Sequence, residues 1–137
     1  MLEAASENYA QIMYAIVSIS SPYEKLKAIA SGVLDYILYL GPAVIRKSLE
    51  LQFAGTKEMT GHEQPSDFGK LVCSFFLQAP AAGEIRKNVP ALDLMHASGF
   101  MILGIVQIWA VNGGTIDLKK VCLYQFDVLV RPDSFLQ

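Results

Sequence analysis

Residues 93–114 read DLMHASGFMILGIVQIWAVNGG and are followed at once by IDLKKVCLYQFDVLV at 116–130. From Ala97 to Val111 the only strongly polar side chains are Ser98 and Gln107, so a helix over this run has no polar face to offer water. A helix that is apolar all round has to be covered on two sides. In a chain of 137 residues the protein's own core covers one side, and the other calls for a second subunit or a bound ligand.

Outward from that segment every strong periodicity is helical, and none alternates with period two over a strand's length. The first helix is expected from about Leu2 to Ser18, with Tyr9, Ile12, Met13, Ile16 and Val17 at spacings of three and four. Ser20-Ser21-Pro22 stops it and starts a second helix, which runs to about Leu40 with Leu26, Ile29, Ala30, Val33, Leu34, Ile37 and Leu38 as its apolar set. Gly41-Pro42 ends that helix and opens a third, Ala43 to about Phe53. Residues 54–66, AGTKEMTGHEQPS, are polar and aperiodic and predict the longest and most mobile loop. Ser66 then caps a fourth helix, Asp67 to about Gln78, carrying Phe68, Leu71, Val72, Phe75 and Phe76. The stretch APAAGEIRKNVP predicts a single helical turn between two prolines, Pro90 opens the long helix, Asn112-Gly113-Gly114 closes it, and a last helix runs from Asp117 to about Arg131. The expected fold is all-α: one domain over residues 1–137, a bundle of six or seven helices whose last two long helices form a dimeric four-helix interface.

Hydrophobic residues make up 53% of the chain and charged residues 18%, a surplus of apolar surface that points to oligomerisation, a ligand cavity or both. The formal net charge is -2 and the basic residues fall as scattered pairs, Arg46-Lys47, Arg86-Lys87 and Lys119-Lys120, so no basic stripe is available for phosphates. Cys73 and Cys122 sit in apolar helical patterns without a CxxC, which reads as reduced core thiols in a cytoplasmic protein, with a redox-sensing pair as the alternative. MLEAASENYA holds two acids and no basic region, unlike a signal peptide. The apolar run from Ala97 to Val111 is 15 residues, short of the roughly 20 that cross a bilayer, and it lacks flanking Lys or Arg, so no membrane is expected.

The chain has no glycine-rich phosphate loop, GxSxG, HExxH or carboxylate pair on an apolar helix face, which argues against an enzyme and implies no metal and no cofactor. Asp93 and His96 stand at i and i+3, the arrangement of a first-turn acid beside a hydrogen-bonded histidine; a ligand-contacting, pH-sensing or catalytic His96 is the functional alternative. His62 lies in the polar loop, where a solvated histidine is the default. Sulfur and aromatic side chains are numerous enough to line an apolar cavity, with His96, Gln107 or a tyrosine hydroxyl orienting the occupant. Small residues at Ala97, Ser98, Gly99 and Gly104 let helices approach closely and favour pairing of the last two helices with a second copy.

Three stretches, SPYEKLKAIASGVLDYI at 21–37, ALDLMHASGFMILGIVQIWAVNGG at 91–114 with Gly104 five residues before Trp109, and IDLKKVCLYQFDVLVRP at 116–132, together resemble the ligand-binding and dimerisation domain of TetR-family transcriptional regulators. The likeness covers nearly the whole chain and rests on element order, since that domain carries no strict motif. It implies a homodimer with Gly104, Trp109, Leu118, Cys122, Gln125 and Leu129 at or near the interface, and a small apolar effector near Met13, Tyr36, Phe75, Met95 and Phe100. Members of the family read DNA through an N-terminal helix-turn-helix head that this sequence lacks, so DNA binding is expected only through such a head. The expected function is effector sensing and dimerisation, with a headless partner that heterodimerises with a full-length regulator as the alternative.

Overall fold

The computed structural model of the chain describes residues 2–55 and 67–132, with side chains from residue 6 onward. Six α-helices fill the described residues: α1 (Leu2–Val17), α2 (Pro22–Leu40), α3 (Pro42–Phe53), α4 (Asp67–Gln78), α5 (Ala91–Val111) and α6 (Leu118–Val130). Of the polar loop expected at 54–66, residues 56–66, with His62 and the Ser66 cap, lie outside the described residues.

Local chemistry sets the boundaries. Ser21 caps α2 by accepting the Glu24 amide at 3.1 Å, with Pro22 in the first turn, where its missing N–H costs nothing. Gly41, at φ 87°, takes a backbone conformation most side chains cannot, and its amide donates to the Ile37 carbonyl at 3.1 Å. The chain thereby turns 96° between α2 and α3. At the end of α5 the Gly114 amide reaches the Trp109 carbonyl at 2.9 Å and the Gly113 amide reaches Ala110 at 3.2 Å. This is a Schellman closure, with Gly113 supplying the required left-handed residue at φ 67°. Asp117 then caps α6 through the Lys120 amide.

The helical turn expected between Pro80 and Pro90 is confined to the start of the stretch, where the Ala82 and Gly83 amides donate to the Ala79 and Pro80 carbonyls at 3.2 and 3.0 Å. Gly83 at φ 73° breaks the chain into turns, the Arg86 amide bonds across to the Val130 carbonyl at 2.8 Å, and Ile85 enters the core with 1% of its surface exposed. One buried side chain and a tie to the end of α6 fix this stretch better than an isolated turn of helix could.

Helix α2 is the centre of the bundle and packs against α1, α3, α4 and α6, while α5 packs against α3, α4 and α6. Two apolar clusters result. The larger joins Ile12 and Ile16 of α1, Tyr23, Leu26 and Ile29 of α2, Phe75 and Phe76 of α4, and Phe126 of α6. The smaller gathers Leu34, Val106, Trp109, Ala110, Leu118 and Cys122 around the far end of α2.

Candidate functional site

Between the two clusters, α2 and α5 face each other across a partly enclosed cavity of about 260 Å³. One wall is the inner stripe of α2, Leu26, Ile29, Ala30, Val33 and Leu34. Val72 and Phe76 of α4 and Phe126 of α6 close the sides, and Met95, Ser98, Gly99 and Ile102 of α5 form the opposite wall. The space exists because Ala30, Ser98 and Gly99 are short where longer side chains would meet. Among the described residues Ser98 is the one polar side chain in the lining; it is 4% exposed, and its hydroxyl already donates to the Leu94 carbonyl at 2.7 Å.

A polar clasp holds the cavity's α2 and α6 walls together. Tyr23 donates its hydroxyl to Asp127 Oδ1, Lys27 Nζ lies 3.1 Å from Asp127 Oδ2, and the Arg131 guanidinium sits over the Tyr23 ring at 4.5 Å. Burial and the bond to Asp127 raise the Tyr23 pKa far above the ordinary phenol, so its hydroxyl stays a donor. Leu26 and Phe126, the neighbours of this clasp in sequence, are thereby fixed as cavity walls.

The other side of α5 is uncovered. Leu92, His96, Phe100, Leu103, Gln107 and Val111 recur every three or four residues along one face, and Phe100 and Val111 are 74% and 62% exposed. Gly104 lies on the same side, with open space where a Cβ would stand. Ile108 extends this surface, and α6 next to it exposes Tyr124 and Gln125. The described residues cover one side of this helix and leave the other exposed.

Of the residues expected at a pocket, Met95 alone lines the cavity. Phe100 and His96 point outward and Gln107 stands half-buried between them and Val111, so all three belong to the exposed face. Met13 packs against the larger cluster, and Phe75 is buried there with Lys25 Nζ 5.2 Å from its ring centre. Tyr36 stacks on Tyr39 beside Glu7, Gln11 and Asp35 in a shallow, half-polar depression where water competes for every contact. Among the residues expected at an interface, Trp109, Leu118 and Cys122 are corrected: they are 2%, 1% and 1% exposed and lie in the protomer's own smaller cluster. Leu129 packs against the larger cluster, while Gly104 and Gln125 face outward. The walls given by Leu26, Ala30, Val33 and Phe76 went unassigned, although the short Ala30, Ser98 and Gly99 were the available sign of a gap.

Both cysteines are free, and burial pushes the Cys122 thiol up to about 11. Among the described residues, no three His, Cys, Asp or Glu side chains converge as a metal site would require. At 21 residues α5 is the one single helix among them long and apolar enough to cross a membrane, longer than its 15-residue apolar run suggests. Comparison with protein-family models, with curated proteins and with solved structures returned no match to this chain.

Proposed function

We propose that this chain is the effector-sensing and dimerisation domain of a TetR-like transcriptional regulator: a non-catalytic, cytoplasmic homodimer that binds a small, largely apolar molecule. One observation carries the reading. A single helix, α5, lines an apolar cavity with one side and presents an uncovered apolar strip with the other. Met95, Ser98, Gly99 and Ile102 alternate along it with His96, Phe100 and Leu103, so a shift of α5 about an occupant displaces the outer strip as well.

A second copy of the chain is the natural cover for that strip, because an isologous contact pairs apolar residues with themselves and needs no further partner. Coupling follows from linkage, since an occupant that favours one arrangement of the dimer is itself bound more tightly by that arrangement. Operator reading would belong to a head joined ahead of α1, whose separation in the dimer decides its fit to two half-sites. The test is a chimera with a helix-turn-helix head of known operator fused before α1. Operator affinity is expected to change when naphthalene fills the cavity, and affinity identical with and without it would defeat the proposal.

A further inference from the structure

We infer that the cavity between α2 and α5 takes a neutral, hydrocarbon-like molecule of about ten carbon atoms and rejects molecules carrying a charge. The inference rests on reading the cavity as a ligand site, and adds the chemistry of the ligand. Size comes first. A dry apolar cavity of about 150 Å³ holds benzene, with six carbons, and in proportion the 260 Å³ here holds about ten.

Wall chemistry comes second. Eleven of the twelve lining residues offer only carbon, sulfur or a glycine backbone, and the twelfth, Ser98, spends its hydroxyl proton on the Leu94 carbonyl. The cavity lies between helices whose backbone amides are already used within the helices. Among the described residues no lysine, arginine, histidine or carboxylate lines the space; of the charges next to a lining residue in sequence, Lys27 is paired with Asp127, Asp35 with Lys119, and Lys25 lies over the Phe75 ring. A carboxylate or ammonium group brought inside would lose its water without gaining a partner. A flat or flexible hydrocarbon loses nothing, and Met95 can adjust its thioether to the occupant's outline.

The experiment titrates the full chain with naphthalene and with 2-naphthoate, the same ring system bearing a carboxylate, and follows binding by backbone NMR shifts and by melting temperature. Saturable one-to-one binding of naphthalene is expected, at least about tenfold tighter than 2-naphthoate, the least that exclusion of an unpaired charge implies. Two filling variants, Ala30→Leu and Ser98→Val, are expected to keep the fold and weaken naphthalene at least about tenfold; having two guards against one failing to fold. Equal affinity for both compounds, no binding of either, or binding untouched by both variants overturns the inference. So does naphthalene binding that disappears as protein concentration rises, because a second copy would then fill the cleft. Sedimentation of the same samples separates this inference from the regulator reading: naphthalene binding with association unchanged keeps the ligand class and removes the coupling.

Discussion

Gly32 shows how little room separates α1 from α2. A methyl group there would stand 2.4 Å from Ile12 Cγ1 and 2.8 Å from its Cδ1, and Ile12 is 4% exposed. The overpacking, about 1–3 kcal/mol, exceeds the roughly 1 kcal/mol that alanine gains over glycine inside a helix. Gly32→Ala is therefore expected to lower the urea midpoint, and to lower it less, or not at all, when introduced into an Ile12→Ala background, where the clash is gone; an unchanged midpoint in the single variant would show that α1 can slide. Cys122 makes a second prediction at this scale. Its thiol ionises at about 11 in the fold against an ordinary 9.0, so the fold favours the protonated form. That contribution is whole below pH 9 and is lost as pH rises toward 11, because the unfolded chain ionises first. Stability should fall across this window by up to about 1.4 kcal/mol per pH unit more in the wild type than in Cys122→Ala. Equal slopes would mean that the thiol is reached by water.

At the scale of elements, the helices were legible because their punctuation is local. Ser21-Pro22, Gly41-Pro42, Asn112-Gly113-Gly114 and Asp117 each act within one turn of where they stand. The stretch 79–90 was not, since its shape depends on Ile85 entering the core and on the Arg86 amide meeting Val130, both set by distant elements. The facing of α5 was also hidden, because a helix apolar on every side carries no periodicity from which to read its inner face. Hence Trp109 was assigned outward and Phe100 inward, the reverse of their positions. The α2–α6 clasp is testable at this level. Tyr23→Phe leaves Asp127 paired with Lys27 and should cost about 0.5–1.5 kcal/mol. Asp127→Ala leaves the buried Tyr23 hydroxyl without its acceptor and should cost more, about 1–3 kcal/mol, in chemical denaturation. The opposite order would show that the Tyr23 hydroxyl is held chiefly by something other than the Asp127 carboxylate.

For the whole molecule, the sequence foretold that α5 needs cover on two sides, and the fold supplies it on one. Six helices leave the strip from Leu92 to Val111 open, with Phe100, Leu103, Ile108 and Val111 all more than half exposed. A continuous apolar strip of this kind is what the proposed dimer would cover. The central claim is that a second copy covers it while the opposite side of α5 faces the cavity. Sedimentation equilibrium across a wide range of protein concentration, comparing the wild type with Phe100→Glu/Leu103→Glu, tests that claim most directly. The account predicts a wild-type dimer and a folded, monomeric variant with unchanged circular dichroism, since both side chains lie outside the core. A wild type that remains monomeric at every concentration, or a variant that dimerises as tightly as the wild type, would contradict it.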